Sequence, residues 1–278
     1  MNFFRYALGA PCALLLAGCG TDSTSVYLTV TGSSTVAPLL SEIAKRFESA
    51  NPGIRIEVQT GGSSRGIADA IAGRANIGMS SRELKEDEAG LVSHPIAVDG
   101  IAVILHQENP VKGLTLQQLA DIYTGKIERW SELGGPDREI IVVNKAEGRG
   151  TLEVFLKAVS LDSSDISADL IAGENQHAIK TVAGNADAIG YVSIGAAEAE
   201  IEGGLAITMP TIDEIPPSAD AVASGSFPIS RPLLLLVPEN TQTEDSAEVE
   251  ATRSFVAFAK GESVSDIISA QLYVPIIP

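Results

Sequence analysis

Along the chain, short β-branched runs alternate with amphipathic stretches of helical period. Val26 to Thr31 predicts a strand, and Pro38 to Ser49 places Leu39, Leu40, Ile43, Ala44 and Phe47 on one helical face. Ile54 to Thr60 alternates with period two and predicts a second strand. A helix capped by Ser63 or Ser64 then runs through Ile67, Ala68 and Ile71 to a stop at Gly73. Asn76 to Met79 predicts a short strand, and Ile96 to His106 a longer apolar one broken by Asn109-Pro110. Further on, the pattern predicts a helix over 115–123 capped by Thr115, a strand over 140–144, a helix over 151–159 and a strand over 188–193. Pro216 to Pro228 reads as a loop, and Leu233 to Val237 as an almost wholly apolar strand. Helices over 247–260 and 263–272 complete the chain.

Strands that alternate with helices and are apolar throughout predict an α/β fold with a parallel sheet. The two long apolar strands bracket a middle segment that has its own strands and helices. This predicts two lobes joined by two crossovers with a cleft between them. The first lobe comprises residues 26–107 and 226–278, the second 108–225.

The first eighteen residues stand apart. Arg5 supplies a basic start, and the apolar run from Ala7 to Ala17 is too short to cross a bilayer. It ends in Leu16-Ala17-Gly18-Cys19, the arrangement of a bacterial lipobox, in which a signal is removed and Cys19 carries lipid. A signal peptide with an incidental cysteine, or a retained apolar segment, is the plainer alternative. The expectation is an exported protein anchored by lipid on the periplasmic or extracellular side of a membrane. Loss of Cys12 with the signal leaves one cysteine, so neither a disulfide framework nor a cysteine metal site is available. Stability must come from core burial, which 45% hydrophobic residues supply.

Net charge is −17, and removal of the signal takes away Arg5 but no acid. Such a surface is a poor partner for nucleic acid. A small anion is repelled at long range too, but screening over about 8 Å weakens that field, so any anion must be held by local donors.

Three small-polar loops follow strands and open helices: Thr31-Gly32-Ser33-Ser34-Thr35, Gly61-Gly62-Ser63-Ser64-Arg65-Gly66, and Gly148-Arg149-Gly150-Thr151. A helix start offers unpaired N–H groups and about half a positive charge, and serine and threonine hydroxyls add donors. Each loop taken singly is an ordinary helix cap. Three at strand ends point to an anion pocket. The second loop also matches G-x-S-x-G between a strand and a helix, which raises a Ser64 hydrolase as a competing reading. That reading needs a histidine and an orienting acid, and His94, His106 and His177 each lack an obvious acid partner. The acids Glu83, Glu86, Asp87 and Glu88 read as a solvated helix face rather than a metal site.

These loops, together with Ile77-Gly78-Met79-Ser80-Ser81-Arg82, Asp99-Gly100-Ile101-Ala102-Val103, Asp121 to Ile127, Trp130 to Gly135 and Phe227 to Pro232, resemble in order the phosphate-binding proteins of bacterial ABC phosphate importers. The resemblance implies a two-lobed, type II periplasmic-binding-protein-like fold that closes over one oxyanion, works without a cofactor or metal, and hands its cargo to an ABC permease. It implies a monomeric binding protein rather than an enzyme. Carried onto matching positions, it makes Ser34, Thr35, Ser63, Ser81 and Thr151 ligand-binding residues. Some members have an aspartate after the serine of the third segment, whereas this chain has Arg82. A subgroup with Ser-Ser-Arg has its aspartate where Asp99 stands, so Asp99 takes the acceptor role. A buried carboxylate accepts the proton of hydrogen phosphate but meets sulfate with unpaired negative charge, at a cost of about 1–3 kcal/mol or more. The usual arginine followed by Gly-Ser-Gly-Thr is altered here: Lys145 takes the arginine position and Arg149 replaces the serine. Lys145 is a point charge without a bidentate fork. Arg149 can restore that fork, or turn to solvent or to Glu147. Another tetrahedral oxyanion is therefore the nearest alternative ligand, and a surface sensor or adhesion role the nearest alternative use of the fold.

Overall fold

The computed structural model describes residues 25–242 and 246–276. The leader and Cys19 lie outside them. The first half contains β1 (Val26–Gly32), α1 (Val36–Ala50), β2 (Ile54–Thr60), α2 (Ser63–Ile71), β3 (Ile77–Ser80) and β4 (Leu91–His106). The middle contains β5 (Gly113–Leu114), α3 (Leu116–Tyr123), β6 (Ile141–Lys145), α4 (Gly150–Val159), β7 (Leu170–Ala172), α5 (Asn175–Ala183), β8 (Ala188–Ser193) and α6 (Ile194–Glu202). Then come β9 (Ile207–Thr208), β10 (Thr211–Ile212), α7 (Ala219–Ala223), β11 (Ser230–Pro238), α8 (Ala247–Ala259), α9 (Ser265–Ala270) and β12 (Val274–Pro275).

One sheet runs in the order β2-β1-β3-β11-β4-β8-β6-β7, with β9 and β12 also paired to β4, while β5 and β10 form a separate small pair. The expected parallel sheet holds only toward its two ends. β1 pairs in parallel with β2 and β3, and β6 with β7 and β8. At the centre β11 is antiparallel to β3 and β4, and β4 to β8, so the sheet is mixed. Apolar character marks these strands as buried on both faces but is silent about direction, which the connections decide.

Burial on both faces is visible residue by residue. Along β11, Leu233, Leu235 and Val237 join a core with α1 and α8 that includes Leu39, Ile43, Phe47 and Phe255. The alternate residues Leu234 and Leu236 face Ile67 and Ala70 of α2. Along β4, Ile101, Val103 and Leu105 join a core with Leu119, Tyr123, Trp130, Phe155 and Tyr191. Ile104 faces the opposite way, toward Val143, Ile179 and Val182. The change from the first core to the second occurs within β4, between Ala97 and Ile101.

Several elements differ from the sequence reading. β4 begins at Leu91, five residues before Ile96, because Pro95 is accommodated where the pairing with β11 shifts register between Leu233 and Leu234. The stretch read as a loop over 216–228 contains α7, capped by the Ser218 side chain accepting from Ala221 N–H. Residues 83–88 form turns rather than a helix face, with Glu88 drawn onto Arg82. The last helix is shorter than expected, α9 following a 3-10 turn over Glu262–Val264. Thr115 does cap α3, and Gln118 completes the reciprocal pair of bonds.

Candidate functional site

β4 and β11 run antiparallel in a register that places Asp99 opposite Arg231. Both side chains are wholly buried. Arg231 Nε and Nη2 donate to Asp99 Oδ2 at 3.0 and 2.8 Å. The guanidinium also reaches three hydroxyls. Nη1 donates to Thr151 Oγ1 at 2.7 Å and to Ser81 Oγ at 3.4 Å, and Nη2 donates to Thr35 Oγ1 at 3.2 Å. Those hydroxyls come from three separate loops: Thr35 before α1, Ser81 after β3 and Thr151 in the first turn of α4. A charged, planar donor thus stands where the loop before α1, the loop between β3 and β4 and the start of α4 meet.

The remaining oxygens of the cluster are tied in. Ser63 Oγ accepts from the Ser81 N–H at 3.1 Å and lies 3.4 Å from Ser81 Oγ, while Ser33 Oγ donates to Ser81 Oγ at 3.0 Å. Ser193, at the end of β8, donates to Asp99 Oδ1 at 2.9 Å. Burial pushes the Asp99 carboxyl above the ordinary carboxylate range, against the pull of Arg231, Ser193 and the Gly100 backbone. At Gly150 the start of α4 packs tightly against Ser63 and Ser81. A Cβ there would lie 2.5 Å from Ser63 Oγ and 2.9 Å from Ser81 Oγ, so only glycine fits.

Of the eight residues expected to bind ligand, Thr35, Ser63, Ser81, Asp99 and Thr151 lie in this cluster. Ser34 adjoins it, on the wall of a cleft of about 730 Å³ that is also lined by Thr35, Asn175 and Tyr273. Lys145 and Arg149 engage the start of α5 instead. Lys145 Nζ donates to the Glu174 carbonyl at 3.2 Å and to Asn175 Oδ1 at 3.1 Å. Arg149 Nη1 pairs with Glu174 Oε1 at 2.6 Å, neither with Glu147 nor turned to solvent. The cation at the centre is Arg231, which the sequence reading left without a role. Its signal was present: an arginine inside an otherwise apolar strand has to be paired. Ser193 and Asn175 were also missed, and no local motif marks either.

Ser64, the candidate nucleophile, faces charge rather than histidine. Its hydroxyl accepts from Arg82 Nη2 at 3.2 Å and donates to Glu153 Oε1 at 3.5 Å. Arg82 is nearly buried and forms ion pairs with Glu88 at 2.6 Å and with Glu153 at 2.9 Å; Lys85 reaches the other Glu153 oxygen at 2.6 Å.

Residues 19–262 match the model of the PBP superfamily domain. The phosphate-binding protein PstS of Bacillus subtilis is 32% identical over 262 residues, covering 92% of this chain and 83% of the relative. Among solved structures, a phosphate ABC transporter substrate-binding protein from Clostridium perfringens, with phosphate bound, is 34% identical with a TM-score of 0.82. That match covers 90% of this chain and 99% of the other. An ABC-type phosphate transport receptor from Vibrio cholerae is 31% identical with a TM-score of 0.73, covering 90% of this chain and all of the other. With a two-core α/β fold, a buried arginine among converging hydroxyls and these relatives, the chain belongs to the PBP superfamily and, within it, to the PstS phosphate-binding proteins.

Proposed function

We propose that this chain binds inorganic phosphate, as hydrogen phosphate, outside the cytoplasm and delivers it to an ABC importer. One observation carries this reading: a fully buried arginine gathers hydroxyls from the loop before α1, the loop after β3 and the first turn of α4, and is paired with one carboxylate. Arg231 supplies the charge that the acidic surface does not. Ser34, Thr35, Ser63, Ser81 and Thr151 supply hydroxyl donors, Arg149 adds positive field at the start of α5, and Lys145 holds the Asn175 side chain there. Asp99 is the acceptor. Oδ2 is taken by Arg231, so the phosphate proton addresses Oδ1, displacing the Ser193 hydroxyl, which is free to rotate.

Capture works by closure of two lobes, 26–107 with 226–278 against 108–225. Drawn by the hydrophobic cores, the crossover falls near Asp99 and Arg231, so the anion sits where the chain passes between lobes. The chain acts as a lipid-anchored monomer, attached through Cys19, and is a carrier rather than a hydrolase. In support, the Ser64 hydroxyl is committed to Arg82 and Glu153. A fluorophosphonate probe is expected to leave Ser64 unlabelled.

Isothermal titration with phosphate, sulfate, arsenate and molybdate is the decisive experiment. Tight binding of phosphate and arsenate with rejection of sulfate is expected. Preference for sulfate or molybdate would reassign the ligand to another tetrahedral oxyanion.

A further inference from the structure

Thr35 Oγ1 has two lone pairs, and both are used. Arg231 Nη2 donates to it at 3.2 Å and Asn175 Nδ2 at 3.3 Å. An oxygen that accepts twice has only its proton left to offer, so the hydroxyl must donate. Thr35 is buried, and among the described residues its hydroxyl donates to no partner. The Asn175 amide is itself fixed in orientation. Its Oδ1 accepts from Lys145 Nζ at 3.1 Å, and turning the amide over would set an N–H₂ against an ammonium. The ammonium is in turn anchored by the Glu174 carbonyl at 3.2 Å.

We propose that Lys145 and Asn175 are positioning residues that together force the Thr35 hydroxyl to present its proton to the bound anion, without touching the anion themselves. The proposal rests on the phosphate site described above and deepens it. It gives the lysine at the altered loop a role that its distance from the hydroxyl cluster otherwise leaves open. Thr35 belongs to one proposed lobe and Lys145 and Asn175 to the other, so the chain Lys145–Asn175–Thr35, which joins β6, α5 and the start of α1, is completed when the lobes close. Such pre-orientation matters for affinity, because a hydroxyl that must rotate first gives back part of the bond it makes.

The test is a pair of double-mutant cycles, read by phosphate titration on the folded full chain, with melting temperature as a check on folding. Asn175→Ala is expected to weaken phosphate about tenfold, the worth of one neutral hydrogen bond. Thr35→Val is expected to weaken it at least as much, and adding Asn175→Ala to Thr35→Val to cost nothing further. In the second cycle Lys145→Met lowers affinity, and Asn175→Ala absorbs that loss in the same way. Losses that add in full in either cycle would overturn the proposal, since the residues then act separately. So would an Asn175→Ala variant with unchanged affinity. Failure of the unmodified chain to bind phosphate is a different result and would strike the site assignment itself.

Discussion

Arg231 is held by five hydrogen bonds to four side chains, which makes it the residue on which the site is most sensitive. Lysine keeps the charge but cannot hold a carboxylate and three hydroxyls at once. Arg231→Lys is therefore expected to reduce phosphate affinity at least a hundredfold, about 2.7 kcal/mol, by titration. Asp99→Asn is expected to weaken phosphate at least tenfold without making sulfate a ligand, since the amide offers the proton no charged acceptor. Phosphate binding at full strength in that variant would remove the acceptor role. Lys145 carries a pH signature. Burial, reinforced by Arg231, pulls its ammonium down to about 7, with Glu174 opposing and Arg149 assisting. The unfolded chain keeps that proton to about 10.4, so between these values it binds more protons than the folded chain. Stability from this group accordingly rises with pH across the window from about 7 to about 10. Urea unfolding at pH 6, 8 and 9.5 is expected to show wild type gaining on Lys145→Met, with no such gain below pH 6. Asp99 and Thr151 were legible in the sequence because a local motif carries them. Arg231 was not, because its partner lies 132 residues away and only strand register brings the two together.

At the scale of elements, the helix starts were the readable part. Small-polar loops open α1, α2 and α4 where the sequence places them, because glycines and short polar residues act over three or four residues. None of the three is closed by a side-chain cap, and α2 starts from Gly62 with Ser63 and Ser64 inside its first turn rather than capping it. α5 opens on the same site and was not counted, since Glu174 to His177 is polar without glycine and looks like surface. Sheet direction was not readable, for the period of a strand is the same whichever way it runs. The close approach at the start of α4 yields a further prediction. Gly150→Ala places a methyl group against Ser63 and Ser81 without disturbing the helix, in which alanine is the better former. The variant is nevertheless expected to have a lower melting temperature than wild type, because the methyl group displaces two buried hydroxyls. It is also expected to lose at least tenfold in phosphate affinity, because the start of α4 can no longer pack against Ser63 and Ser81.

At the scale of the whole molecule, two features bear on the proposed closure. The first is the ion-pair group at the rim, in which Glu153 of α4 takes Arg82 on one oxygen and Lys85 on the other. Arg82 keeps Glu88 when Glu153 is lost, and Lys85 is exposed enough to be solvated, so Glu153→Gln leaves no buried cation unpaired and isolates the contribution across the cleft. Stopped-flow measurements are expected to show phosphate release accelerated about three- to tenfold with association little changed. The second is β4, a single strand of 16 residues that gives its first part to one core and its last part to the other. Whatever rotation the two cores make must pass as twist through β4 and its neighbour β11, beside Asp99 and Arg231. In the proposed capture the anion therefore binds at the fulcrum rather than between the tips of the jaws. A ligand only a few ångströms across can then govern large displacements at the distant edges, and it is those edges that an importer is able to feel.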